Sequence, residues 1–260
     1  MATSDAVTTV SPSEFHYLNS KITPANSVYL GQSIAQFSQN REALQDSCYP
    51  YKTYPGAQRY SLKPQWLWRE RLTSLLRKRR SSMHFQGKPI SKGNLATLLL
   101  RGYGFTSTVC DERFPEIQHH LRAAPSGGAL YPIEIYPLCV NIKNLPSGCY
   151  HYHAKDKVLE NVETSIQGIG EMFIGVPCEK TAAILIFTAI RERTYIKYGE
   201  RGYRFLFLEA GHIAQNILLL ATALGIRACP IGGFMEDKIA KLLHLDHESE
   251  WVVYAMALGK

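Results

Sequence analysis

The chain lacks the short signatures that mark the commonest catalytic classes. Its six cysteines (Cys48, Cys110, Cys139, Cys149, Cys178, Cys229) form no Cys-x-x-Cys pair and have no repeating spacing, which argues against a zinc ribbon or a redox dithiol. No Gly-x-Ser-x-Gly elbow is present, and no cysteine sits in a recognisable activating context. A Walker phosphate loop is absent, and Gly102-Tyr103-Gly104 lacks the third glycine of a dinucleotide fingerprint. The first 30 residues hold no apolar segment flanked by basic residues, which predicts no secretion signal and reduced thiols in a cytoplasmic protein. Long apolar runs are scarce too. Phe205 to Ile226 is interrupted by Glu209, His212, Gln215 and Asn216, so it reads as a helix buried on most sides and not as a membrane span.

Acidic residues are missing from one region. Between Arg59 and Arg101 the only acid is Glu70, against 11 lysines and arginines, while the whole 260-residue chain carries +7. A local positive field suits phosphate, a carboxylate-bearing ligand, an acidic peptide or nucleic acid. The consecutive Arg77, Lys78, Arg79 and Arg80 are followed by Ser81 and Ser82, a good combination for holding phosphate. No aromatic-interleaved motif accompanies the charge, so nucleic-acid binding is not expected.

Length and a 45% hydrophobic content allow one full domain, 59–260, preceded by an arm, 1–58. The arm is rich in Ser, Thr, Pro, Asn and Tyr; one short helix is predicted there, Ser33 to Leu44, packed on the surface or on a partner. Apolar spacing predicts helices over Ser61–Arg80 (Trp66, Leu67, Leu72, Leu75, Leu76), Ser91–Arg101, Ile166–Ile174, Tyr203–Leu224 ended by Gly225, and Lys238–Leu243. Strands are predicted at Leu130–Tyr136, Cys149–His153 paired with Val158–Val162, Ala182–Ile190 and Trp251–Leu258, with a polar loop from Thr106 to Leu121. Helices and strands do not alternate strictly, so α+β is the expected class.

Three segments are candidates for chemistry. Pro125 to Ala129 is a small-residue turn running into a strand, where Gly127 and Gly128 allow positive φ and close approach of a flat or anionic ligand to backbone N–H groups. Arg193 to Arg204 joins a buried strand to a buried helix and places Lys197 beside Tyr198. An ammonium near a phenol lowers the phenol's pKa, which would make Tyr198 a base near neutrality. Pro230-Ile231-Gly232-Gly233-Phe234 is a second glycine loop whose backbone could meet the edge of a planar ring. His151 and His153 share a strand face, yet no further ligand cluster completes a tetrahedral site; they read as surface histidines, and no metal is expected.

Arg-Arg-Ser at 79–81, Ala-Pro-Ser-Gly-Gly-Ala-Leu-Tyr-Pro-Ile-Glu at 124–134, Cys-Tyr-His-Tyr at 149–152, Lys-Tyr-Gly-Glu-Arg-Gly-Tyr-Arg at 197–204, Leu-Glu-Ala-Gly-His-Ile-Ala-Gln-Asn at 208–216 and Pro-Ile-Gly-Gly-Phe at 230–234 occur in this order. Over about residues 70 to 260 the chain thereby resembles the SagB-type dehydrogenases, FMN-dependent thiazoline/oxazoline oxidases of the nitroreductase-like superfamily. The resemblance implies an α+β fold with a central, mostly antiparallel sheet flanked by helices. It also implies a homodimer with an interface helix and FMN between the subunits. Arg79, Arg80 and Ser81 would contact the phosphate and ribityl chain. Pro125, Ser126 and Gly127 would approach the flavin from the partner subunit, Gly232 and Gly233 would line its ring, and Lys197 and Tyr198 match the pair assigned to catalysis. Met83 stands where the superfamily often has a basic residue, and the chain ends at Lys260, so Arg204, Arg122 or Lys260 would supply the missing phosphate contacts.

The implied reaction is two-electron oxidation of an azoline to an azole on a precursor peptide or carrier-bound intermediate, within a biosynthetic complex, with dioxygen reoxidising the flavin. The alternatives are an NAD(P)H-dependent nitroreductase or flavin reductase, which would need no substrate base, and a non-catalytic partner in a peptide-modifying complex.

Overall fold

The computed structural model describes residues 12–65 and 71–260. In chain order these form α1 (Pro12–Ser20), α2 (Pro24–Gln39), α3 (Arg41–Ser47), β1 (Arg59–Ser61), α4 (Leu72–Lys78), β2 (Ile90–Ser91), α5 (Lys92–Gly102), β3 (Phe105–Cys110), β4 (Gln118–Arg122), β5 (Ile133–Cys139), β6 (Ile142–Lys143), β7 (Gly148–His153), β8 (Val158–Glu163), β9 (Ala183–Ile190), α6 (Glu192–Tyr198), α7 (Gly202–Ala223), β10 (Arg227–Ile231), α8 (Glu236–Leu242) and β11 (Glu250–Gly259). Seven strands make one sheet in the order β1-β8-β7-β5-β9-β11-β10, and every pairing in it is antiparallel. The α+β class and the antiparallel sheet expected above are observed.

The central strands carry β-branched and apolar residues in continuous runs because both faces are covered. Successive side chains point to opposite faces. Ile133, Ile135, Leu185, Phe187 and Met256 pack in one cluster with Leu95 and Leu98 of α5 and Ile213 and Ile217 of α7. Tyr136, Leu138, Ile184, Ile186 and Ala255 pack in the other with Ile239 of α8.

α5 begins where expected because Ser91 caps it, its hydroxyl accepting from Asn94 N at 3.0 Å. α7 ends at Gly225, whose φ of +63° reverses the chain after the last turn. The 149–162 hairpin is also present.

Other expectations need correction. The arm holds three helices: Asn40 ends α2, and its side chain accepts from Ala43 N at 3.1 Å to start α3, which splits the predicted 33–44 helix. Among the described residues of 61–80, only Leu72–Lys78 is helical, and Arg59–Ser61 adds a strand to the sheet edge; Trp66 and Leu67 lie outside the described residues. The 106–121 loop is instead a hairpin of β3 and β4, whose polar residues on exposed strands hid the pattern. Within 166–174 only a single 3-10 turn forms, Ile169–Glu171. His151 and His153 are buried, not on the surface. α7 is not buried on most sides: Leu206, Ala210, Ile213 and Ile217 face the core, while Phe207, Leu208, Gly211 and His212 are exposed. By length and composition 192–223 could cross a membrane; here Gly199 breaks it and α7 packs on α5 and β10.

The arm packs on its own chain. Phe37 of α2, Leu44 of α3 and Cys48 form a small core with Ile117 and Leu130. Lys52 then reaches Glu250 of β11 at 2.6 Å, beside Tyr136 and Thr188, whose hydroxyls donate to the same carboxylate. Glu250 is buried, so removing its cation strands a charge. Lys52→Ala is expected to destabilise the fold by about 2–4 kcal/mol in urea titration; an unchanged midpoint would show that the two hydroxyls suffice.

Candidate functional site

Lys197 and Tyr198 end the seven-residue α6, which follows β9. Adjacent residues on a helix point about 100° apart, yet the two polar ends meet. They do so at Gly128, where a Cβ would lie 2.6 Å from Tyr198 Oη and 3.0 Å from Lys197 Nζ. Gly128 has φ +68°, and Gly127 faces the Phe205 ring, 3.0 Å from where its own Cβ would be. Any larger side chain at 128 would occupy the convergence point. The turn that carries these glycines is strained, with φ of +57° at Ala129 and +44° at Tyr131. It is held by Ser126 Oγ accepting from Tyr131 N at 2.8 Å, and by the Tyr131 hydroxyl accepting from Arg122 N at 2.9 Å.

The electrostatics reverse the expectation for the pair. Burial pushes the Tyr198 phenol up, not down, and the same desolvation holds Lys197 below the ordinary lysine range against the opposing pull of Asp111. Burial thus works against the charged form of both groups, favouring the neutral amine of Lys197 and the protonated phenol of Tyr198. A cavity of about 360 Å³ opens beside Lys197 and Gly128. One wall comes from the arm (Phe37, Ser38, Leu44) and the other from the β3–β4 hairpin (Asp111, His119, Leu121).

Behind this wall His119 bridges Cys48 Sγ at 3.2 Å and Asp111 Oδ2 at 3.3 Å. The layout is that of a Cys-His-Asp triad, but Cys48 is buried and desolvation pushes its thiol up to about 11, so no thiolate nucleophile is available.

Arg79, Arg80 and Ser81 lie elsewhere. Ser81 bridges to Ala228 of β10, and Ser82 N donates to Ala228 O. The Arg79 guanidinium donates to Ser81 Oγ and that of Arg80 to the main-chain carbonyls of Arg77 and Arg79, with no carboxylate bonded to either among the described residues. The register puts Ala228 beside Leu258, and Leu258 beside Ala183, the first residue of β9. Lys197 follows the other end of β9, seven strand residues further on, about 23 Å at strand spacing. The chain thus keeps Arg79–Ser81 apart from Pro125–Gly128, Lys197 and Tyr198. Gly232 and Gly233 follow the end of β10. No atom lies within 4 Å of where a Cβ on Gly232 would be, which leaves room for a flat group.

Two of the proposed replacement phosphate ligands are committed elsewhere. Arg204 donates to Ser20 Oγ at 2.8 Å and Tyr17 O at 3.0 Å in α1. Arg122 is buried between the rings of Tyr51, Tyr103 and Tyr131 and donates to Pro50 O. Lys260, exposed after β11, does lie at the Arg79 end, and so does Arg227, whose guanidinium donates to His84 O. Sequence reasoning missed Arg227 because a lone arginine after a helix carries no pattern; only the strand register places it.

Glu209 is a second residue missed. It lies on the inner face of α7 beneath the glycine turn, close to Ser126, and its Oε1 accepts from Tyr103 Oη at 2.7 Å while its buried Oε2 has no hydrogen-bond partner. Burial pushes its carboxyl up to about 7 despite the Tyr103 bond and the nearby Arg122 and Arg193.

The nitroreductase family profile matches residues 76–260. The chain is 32% identical to the nitroreductase-named MJ1384 of Methanocaldococcus jannaschii over 197 residues, 73% of this chain and 91% of that one. It is 34% identical to the microcin B17-processing protein McbC of Escherichia coli over 136 residues, 49% of this chain and half of McbC. A crystal structure of a nitroreductase-type protein from Anabaena variabilis superposes with a TM-score of 0.71 at 26% identity, covering 95% of this chain and 45% of that one.

Glu209 gives a pH test of the turn's support. A carboxyl whose pKa is raised by folding binds its proton more tightly in the folded state, so stability falls as pH rises from its unfolded value toward about 7. Glu209→Gln removes that fall. Relative to the unsubstituted protein it should gain on the order of 1–3 kcal/mol between pH 5 and pH 8. Urea midpoints at both pH values check this; an equal difference at each would contradict the assignment.

Proposed function

The chain belongs to the nitroreductase family, and we propose that within it the protein is an FMN-dependent oxidoreductase that dehydrogenates thiazoline or oxazoline rings to azoles on a peptide or carrier-bound intermediate. The observation that carries this reading is the convergence of Lys197 Nζ and Tyr198 Oη on Gly128. Hydride exchange between two cofactors needs no base, whereas removing two hydrogens from a ring does. The peptide-processing activity in McbC's name, and the motifs at 124–134 and 197–204, favour the same substrate class.

The residues fit FMN. Arg79, Arg80 and Ser81 offer donors free of carboxylate partners among the described residues, and Arg227 and Lys260 at the same sheet end supply the basic contacts that Met83 does not. Gly232 presents unobstructed backbone to the ring, while Gly233 packs against Ile174. On this reading the active unit is a homodimer: the half-site of one copy is completed by Pro125, Ser126, Gly127, Lys197 and Tyr198 of a second. The exposed Phe207 and Leu208 on α7 give that pairing an apolar face.

FMN, held by Arg79, Arg80 and Ser81, would supply the acceptor for a hydride and its two electrons. The protein's own groups manage the proton. Lys197, kept deprotonatable by burial, takes it at Nζ, and Tyr198 donates a hydrogen bond to the ring heteroatom and fixes its orientation. The arm-walled cavity receives the peptide next to the ring and keeps water from the reacting carbon.

The test is an absorption spectrum of the purified protein, then mass analysis after mixing with azoline peptides. Loss of two hydrogens per ring is expected. Lys197→Ala should keep FMN but lower turnover on the order of 100-fold, while Arg79→Ala should lower flavin content. Undiminished oxidation by Lys197→Ala would remove the base. Rapid bleaching of the flavin by NADPH with azolines left intact would favour a reductase.

A further inference from the structure

We propose that Arg193 is a positioning residue for Lys197 and Tyr198, held in place by a chain of alternating charge that crosses the sheet, Glu134–His151–Glu160, buried and closed at the solvent edge by the exposed Arg59. The inference rests on the reading of Lys197 and Tyr198 as the working pair. α6 has only seven residues, no side-chain N-cap, and a break at Gly199 with φ +52°. A helix this short does not hold itself in water. What fixes Lys197 is therefore its tertiary ties.

Arg193 lies one turn before Lys197 on the same face of α6. Its Nη1 reaches Glu134 Oε1 at 2.6 Å and donates to Tyr131 O at 2.8 Å. One guanidinium thus pins both the helix that carries the pair and the strained end of the turn that carries Gly128. Glu134 can serve as anchor because its other oxygen is taken: Glu134 Oε2 bonds His151 Nε2 at 2.8 Å. His151 Nδ1 bonds Glu160 Oε2 at 3.0 Å, and Glu160 Oε1 accepts from Arg59 Nη2 at 2.8 Å. These residues sit on adjacent strands β5, β7, β8 and β1, with His151 directly opposite Glu160, and Glu160 opposite Arg59.

His151 donates to both carboxylates at once when it carries both protons. The groups facing it are Glu134 and Tyr136 from β5, Glu160 from β8, His153 from its own strand, and Tyr54 before β1; Arg59, Arg193 and Arg122 lie one step further along the carboxylates. Burial opposes its charge, but the two carboxylate bonds outweigh burial and raise its pKa. Burial likewise opposes the Glu134 carboxylate, and Arg193 with His151 overcomes it, holding the carboxyl at about 2. Loss of the His151 proton at high pH would set Glu134 and Glu160 facing a single N–H and slacken the grip on Arg193.

The experiment measures Lys197 directly. In FMN-loaded protein, the pH dependence of Lys197 acetylation by acetic anhydride is followed by peptide mass mapping, alongside kcat and KM for an azoline peptide. Arg193→Gln should move the labelling midpoint of Lys197 upward and cut kcat at least tenfold, with KM within about twofold; Arg193→Lys should recover part of both. Glu134→Gln should shift Lys197 in the same direction. Should these variants fail to fold, Arg59→Gln, at the solvent end of the chain, should give a smaller shift of the same sign. A labelling midpoint unchanged in every folded variant overturns the proposal. A shifted midpoint in a protein that oxidises no azoline leaves Arg193's role standing and removes the azoline reading instead.

Discussion

The length of one central strand constrains everything else about the candidate site. β9 ties Ala183, beside the Arg79–Ser81 end of the sheet, to Ile190, after which α6 brings in Lys197 and Tyr198. Backbone hydrogen bonds on both sides of β9 make that separation rigid. The basic Arg79–Ser81 end, where we propose an anion is held, and the Lys197–Tyr198 end, which we propose handles the proton, are built into one chain but kept apart within it. Pairing of two copies, which we propose, would bring unlike ends together without bending the sheet.

At the proton-handling end the fold works against local preference. Ala129 and Tyr131 occupy positive φ, and α6 is too short to persist alone. Both are held by buried polar groups: Ser126, Arg122 and Glu209 under the turn, Arg193 and its line of carboxylates beside it. Buried charges cost desolvation unless each is partnered. The sheet meets that demand by placing opposite charges on neighbouring strands in register. The result is a rigid floor on which two neighbouring residues, otherwise divergent, can point at one glycine.

Much of the fold was legible because burial leaves a periodic trace. The apolar run at 182–190, the Ser91 cap and Gly225 all report local physics that the tertiary structure agrees with. Of the arm helices only part, within 33–44, was legible, and the β3–β4 hairpin was not. Their residues are polar and half-exposed, and their order comes from contacts far along the chain, such as Cys48 with His119. The site shows the same division. Gly128 and the Lys197–Tyr198 dipeptide were visible as local anomalies. The direction of their electrostatics was not, because it depends on burial against Phe37 of the arm, which no local window contains. His151 was misread for the same reason: it is buried between two carboxylates from other strands, which raise its pKa against the effect of burial.

The claim on which the functional account depends is that two copies each contribute half of one site. Mixing an Arg79→Ala variant, which damages the anion-holding end, with a Lys197→Ala variant, which damages the proton-handling end, tests it most directly. After subunit exchange the mixture is expected to recover a measurable fraction of azoline oxidation that neither variant has alone, since one of the two sites in a mixed dimer is intact. Exchange without any recovery of activity would contradict the account.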